Sequence, residues 1–167
     1  WVADGYAADP DQALALEAFA NADRLASAAG NRWMSAFART EAAGLLLQRG
    51  DLAEGCETLA EMVDLWYRAG EWSQQWHTLS RCVIALDRIG QPELAAEAVG
   101  AIEAHATMGA PPSMTTLRSI AFETRDTLAS KLGADCSEER RAVGASRPLA
   151  EIVFRTRNAF LARPIDA

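Results

Sequence analysis

Arg49-Gly50-Asp51-Leu52-Ala53-Glu54-Gly55 returns forty residues later as Ile89-Gly90-Gln91-Pro92-Glu93-Leu94-Ala95. Each copy reads as the end of one helix, a glycine at the left-handed stop, a polar residue, and the start of a second helix. Working outward, glycine also stands at 30 and 70, so blocks of twenty residues rich in Ala, Leu and Glu or Arg follow one another from 11 to 90. A helix of about 19 residues is roughly 28 Å long at 1.5 Å rise per residue. Two such blocks make a hairpin, and the hairpin is a unit of period 40. Arrays whose members bind chiefly their neighbours are solenoids, which offer surfaces for partners more often than chemistry.

Aligning the blocks that begin at Asp11, Asp51 and Gln91 shows what is repeated. Glu17, Glu57 and Glu97 share a register, as do Phe19, Leu59 and Val99, then Ala20, Ala60 and Gly100. Small residues recur at Ala15, Gly55 and Ala95. Small side chains let two helix axes approach, and the bulky one four positions later fills the groove beside them. The recurring acids are expected on solvated faces or as charges near helix starts.

At these residues the chain resembles a tetratricopeptide repeat: a first helix, a glycine with a polar neighbour, then a second helix, with Leu59 and Met62 following one turn and Val99 and Ile102 the other. The resemblance implies an all-α superhelix of antiparallel helix hairpins. In its frame 11–29 is the second helix of a unit whose first helix precedes the chain, so the solenoid is entered midway. The period of 40 is longer than the usual 34 or so, which marks a divergent variety. The order of segments, with Ala95-Ala96-Glu97, Gly109-Ala110-Pro111-Pro112, Arg125-Asp126-Thr127-Leu128, Leu132-Gly133 and Pro148-Leu149-Ala150-Glu151, is similar to the tail of bacterial STAND-type regulatory ATPases. Those proteins couple a nucleotide switch to helical repeats, often with a LuxR-type or SARP-type DNA-binding domain.

Composition agrees without sharpening the reading. The chain has 167 residues, 50% of them apolar, enough for one domain with a sizeable core. The sequence contains no apolar run of the roughly 20 residues a membrane span needs, so a cytoplasmic location is expected. Three cysteines, Cys56, Cys82 and Cys136, lack CxxC spacing and suit a reducing compartment. A first residue of Trp rather than Met leads us to expect a piece of a longer protein. Residues 1–110 hold 7 Arg against 16 acids, a net of −9, whereas 111–167 hold 9 bases against 7 acids. An acidic body repels phosphate backbones, which makes nucleic acid an unfavoured partner.

The search for chemistry yields no catalytic, cofactor or metal residue. No GxxxxGK[ST] stands in the chain, and Lys131 sits in Ala129-Ser130-Lys131-Leu132 with no glycine cradle for phosphate. His77 and His105 fall on different helices, neither with His, Cys or a carboxylate at i+4. Cys82 follows His77 by five residues, about 140° around a helix, so the two do not share a face as nucleophile and base. The chain is therefore read as non-enzymatic, with any NTPase domain in a host protein outside it.

Three surfaces remain. The repeat frame places the first helix of each unit on the concave side, which by resemblance puts Phe37, Thr40 and Gln48, with Gly44 and Leu47, and His77, Ser80, Asp87 and Arg88, with Ile84, on one stripe. Such a mix suits a peptide or protein groove, and Arg88 is the expected anchor for a partner carboxylate. Trp66, Tyr67, Trp72 and Trp76 form an aromatic group that is either core or partner pocket. Arg140, Arg141, Arg147, Arg155 and Arg157 lie in the tail, where helix-turn-helix use is weighed against a cap on the last repeat with a polar outside. The cap is preferred, dividing the chain into repeats at 1–134 and capping helices at 135–167. Loss of an upstream neighbour leaves Leu14, Leu16, Phe19 or Leu25 bare, with self-association through that end as a consequence. The expected role is that of a protein-interaction or sensor segment of a larger signalling ATPase or transcriptional regulator. Its partner is a protein or peptide, other domains of the same chain included, and a small-molecule inducer is compatible with the role. The alternatives are a free-standing scaffold or a nucleic-acid-binding helical domain.

Overall fold

A computed structural model describes residues 10–105 and 124–162, and among these every regular element is a helix. They are α1 (Pro10–Ala28), α2 (Arg32–Arg49), α3 (Leu52–Ala69), α4 (Trp72–Arg88), α5 (Pro92–His105), α6 (124–132), α7 (Ala134–Ser146) and α8 (Leu149–Leu161). The all-α expectation holds, and the helix expected after Pro148 is α8. Gly109-Ala110-Pro111-Pro112 lies outside the described residues.

The repeat is visible in the backbone as well as the sequence. Asn31, Asp51, Glu71 and Gln91 each donate an amide hydrogen bond to the carbonyl five residues back, on Ala26, Leu46, Trp66 and Leu86, at 2.8–3.2 Å. The glycine before each donates to the carbonyl three residues back, from Gly30 to Ser27 through Gly90 to Asp87. These are the paired bonds that satisfy the orphan carbonyls of a helix end, and they need a residue at positive φ, such as Gly50 at 91°. The same polar residues then accept from the fourth amide onward, as Gln75 to Glu71 and Ala95 to Gln91, so one short turn ends one helix and starts the next.

Each of α1 to α4 packs on its successor, and the core runs through α2 to α5. Cys56, Leu59 and Val63 on α3 share one core cluster with Leu79, Val83 and Leu86 on α4 and with Ala95, Val99 and Ile102 on α5. The aromatic group divides: Trp66 and Trp76 are buried, whereas Trp72 is 52% exposed and touches Tyr67 edge-on.

The tail departs from a simple lid. Helix α7 packs on α5 at a crossing of two glycines: a Cβ on Gly100 would stand 1.9 Å from the Arg141 carbonyl oxygen, and one on Gly144 would stand 1.8 Å from that of Glu97. Helix α8 reaches back past the last hairpin to lie chiefly against α3, and also touches α4 and α5. Its Ile152, Val153 and Phe160 belong to the same core cluster as Leu59 and Leu79. The boundary at 134/135 thus separates two stretches of sequence that share one core.

The three acids of equal register have different fates. Glu17 and Glu57 are exposed as expected, but Glu97 is 1% exposed. Its carboxylate meets Arg140 of α7 at 3.5 Å, Arg147 between α7 and α8 at 3.3 Å, and Arg155 of α8. The reason is local: α7 and α8 cover the face of α5 that is open on α1 and α3, and a buried carboxylate persists only with charged partners. The expectation of a solvated Glu97 is corrected accordingly.

Candidate functional site

The expected partner stripe lies on α2 and α4, whose equivalent positions are forty apart, and the structure sorts its members. Thr40 and Ser80 are equivalent, and both are fully buried. Thr40 donates its hydroxyl to the Ala36 carbonyl at 2.9 Å, and Ser80 does the same to that of Trp76 at 2.9 Å. Neither lines an open surface. They fill the seam where the helices pack, and their hydroxyls return to their own backbone because the seam offers few other acceptors.

Thr40 has a second contact. Its oxygen accepts a hydrogen bond from Trp66 Nε1 at 3.3 Å, which fixes the buried indole. Trp66 meets Trp33 edge-on at 6.1 Å, and Trp33 stacks on Phe37 at 5.5 Å with planes 6° apart. Phe37 is half-buried and Trp33 is 41% exposed, with Met34 exposed beside it. A buried threonine therefore orients a tryptophan that backs an aromatic platform open to solvent. Trp33 was not among the expected stripe residues, although its i,i+4 spacing to Phe37 is legible.

The second part is ionic. His77 Nε2 lies 2.5 Å from Glu41 Oε1, and Arg81 donates from its terminal nitrogen to Glu41 Oε2 at 2.6 Å. Arg81 Nε also stands 3.2 Å from His77 Nε2. With its proton on that nitrogen the imidazole donates to Glu41, and the neighbouring guanidinium then acts on it through charge. Burial pushes the Glu41 carboxyl up, but the hydrogen bond from His77 and the charge of Arg81 outweigh it and hold the group below its ordinary value. Gly44 makes room for the guanidinium, since a Cβ there would stand 1.9 Å from the Arg81 terminal nitrogen. Glu41 and Arg81 are forty apart and follow Thr40 and Ser80 directly, so opposite charges at equal register were the available signal.

The far end of the stripe is internal too. Asp87 accepts from Lys131 Nζ at 2.6 and 2.7 Å, tying α4 to α6. Arg88 donates to the Leu47 carbonyl, one of the last carbonyls of α2, where a cation also favours the negative end of the helix dipole. The expectation of Arg88 as a free anchor is thereby corrected to a residue joining two hairpins. Gln48 is exposed. Cys82 is fully buried, and burial first, then the neighbouring Cys56, push its thiol well above the usual range.

Four of the tail arginines are likewise engaged. Arg140, Arg147 and Arg155 surround Glu97, and Arg141 reaches Glu103 at 2.9 Å and Glu138 at 2.8 Å. Among the described residues no helix is long and apolar enough to cross a membrane, and no group of three or more His, Cys, Asp or Glu is placed to hold a metal. Comparison with family models, with curated proteins and with solved structures finds no match for this chain.

Proposed function

We propose that the chain is a non-enzymatic protein-interaction segment, with superhelical tetratricopeptide-type hairpins, that serves a larger cytoplasmic signalling ATPase or transcriptional regulator. The observation that carries this reading is the platform of exposed Trp33 stacked on half-buried Phe37, backed by Trp66 and Thr40. Tryptophan leads the residues that dominate interface energies, and preorganised rings lose little entropy on binding. The engagement of four tail arginines with carboxylates of the same chain favours a protein partner over nucleic acid.

The test is binding of the purified chain to the other domains encoded in the same reading frame, compared with Trp33→Ala and Phe37→Ala. Affinity is expected to fall about tenfold or more in each, as for truncation of an aromatic anchor. Equal binding by both variants, with unchanged helicity, would remove the platform as the contact. A reading frame without GxxxxGK[ST] would replace the regulator with a free-standing scaffold.

A further inference from the structure

Helices α3 and α5 do not pack on each other; α8 lies between them over α4. Forty residues earlier the same arrangement exists without its occupant. Helices α1 and α3 stand apart over α2, and between them runs a groove of about 420 Å³ floored by Leu16, Phe19, Ala38, Ala42 and Leu46. The correspondence is residue by residue. Phe19, Ala42 and Leu46 are equivalent to Leu59, Cys82 and Leu86, which the core cluster shares with Ile152, Val153 and Phe160 of α8. A remnant of the filled groove, lined by Ile89, Gln91 and Leu94 with Arg155 and Asn158, survives at the end of α8. Those first three residues are the equivalents of Arg49, Asp51 and Glu54, which line the open groove.

We infer that the open groove between α1 and α3 is a docking slot for an amphipathic helix of another protein that carries basic residues beside its apolar stripe. The shape argument comes from within the molecule. Helix α8 presents Ile152, Val153, Thr156 and Phe160 on one face at i, i+1, i+4 and i+8 spacing, the pattern of a helix lying in an apolar groove. The charge argument comes from the differences. Where the filled groove has Val63, Gln91 and Leu94, the open one has Asp23, Asp51 and Glu54. Arg49 is paired with Asp51 at 3.2 Å and Arg39 with Glu61, so the acids outnumber the cations on the rim. Its neighbours Glu17 and Glu57 are exposed acids as well. A helix with Arg or Lys flanking its stripe satisfies both the floor and the rim, and electrostatic attraction would speed its encounter.

This deepens the interaction reading by naming a second surface and its partner's chemistry, and it is tested at residues other than Trp33 and Phe37. The probe is a fluorescent peptide of residues 148–162, which has the stripe and two arginines, titrated against the whole chain by anisotropy. Saturable binding is expected, weakened about tenfold by Glu54→Arg on the rim, since one charge contact of 1.4 kcal/mol is a factor of ten, and more by Ala42→Arg on the floor. Added salt should weaken it. A peptide with Ile152→Asp and Val153→Asp should not bind. Helicity and melting of both chain variants are measured alongside, and the exposed Glu54→Arg keeps the test informative if Ala42→Arg unfolds. Absence of saturable binding overturns the slot, as does binding indifferent to both groove variants, which would mean that the peptide displaces the chain's own α8. Concentration-dependent dimerisation lost in Glu54→Arg would overturn the assigned occupant in favour of a second copy. Failure here with loss of binding in Trp33→Ala leaves the interaction reading standing; the reverse result leaves the slot.

Discussion

The two grooves of this molecule are one structure built twice, and they differ in what covers them. Over α4 the floor of Leu79, Cys82 and Leu86 is sealed by α8, and the acid at the Glu97 register is buried beneath three guanidinium groups. Over α2 the floor of Ala38, Ala42 and Leu46 lines a groove that no helix fills among the described residues, and the acids at the Glu17 and Glu57 registers are exposed. The backbone of the repeat is the same in both, down to the bonds of its turns. What a repeat unit becomes therefore depends on its neighbours more than on its own residues. A side chain that is solvated in one copy becomes a structural rivet in the next because a helix lies over it.

The sharpest way to break this comparison is to remove the acid in both copies. Glu97→Ala leaves three arginines without the carboxylate that neutralises them, and a loss of about 3–5 kcal/mol is expected in denaturant unfolding, as for breaking a buried pair. Glu57→Ala should change stability by no more than about 0.5 kcal/mol, as for a surface site. Equal costs would mean that α7 and α8 do not cover α5 as described.

The apolar side of the comparison gives the next effect. Ile152→Ala, in the filled groove, should cost about 2–4 kcal/mol, the range for emptying a core position. Leu16→Ala, half-buried in the open groove, should cost about 1 kcal/mol or less, because water already reaches the site. Unfolding midpoints at constant slope would check both. Arg88→Ala comes third. It removes a charged, part-buried hydrogen bond to the Leu47 carbonyl, for an expected loss of about 0.5–1.5 kcal/mol by the same measurement.

The smallest effect belongs to the ionic rung between α2 and α4, which neither groove uses. The Glu41 carboxyl is held below its ordinary value, so its contribution is fully present above the unfolded value of 4.5 and fades as the pH falls through the lower folded one. Glu41→Gln should therefore lose less stability than the parent between about pH 6 and about pH 3, with a difference no larger than about 1 kcal/mol for so partly screened a group. Parallel acid limbs in the two proteins would show that the rung does not bias folding.

Much of the fold was legible because its signals are local. Glycine at each twentieth position, a polar residue after it, and small-then-large spacing all act within one or two turns of helix, and the helices of 10–105 begin and end where those signals stand. The site was less legible. The repeat frame places Thr40, Ser80 and Arg88 on one surface, but register cannot tell which side of α2 faces α4 and which faces water. Glu97 escapes the register for a related reason: its fate is decided by Arg140, Arg147 and Arg155, some 40 to 60 residues away in a tail whose sequence carries no repeat. The Glu41 and Arg81 pair could have been found by asking which equivalent positions carry opposite charge.

The turns at Gly30, Gly50, Gly70 and Gly90 share one set of backbone bonds, and each asks for a single glycine. Asn31, Asp51, Glu71 and Gln91 occupy the same place after them, four different side chains in one geometry. A hairpin specified so sparingly can be duplicated, and its copies can then mutate along separate paths while the chain still turns at the same places. Descent within such a protein is recorded in the spacing of its corners long after it has faded from the letters between them.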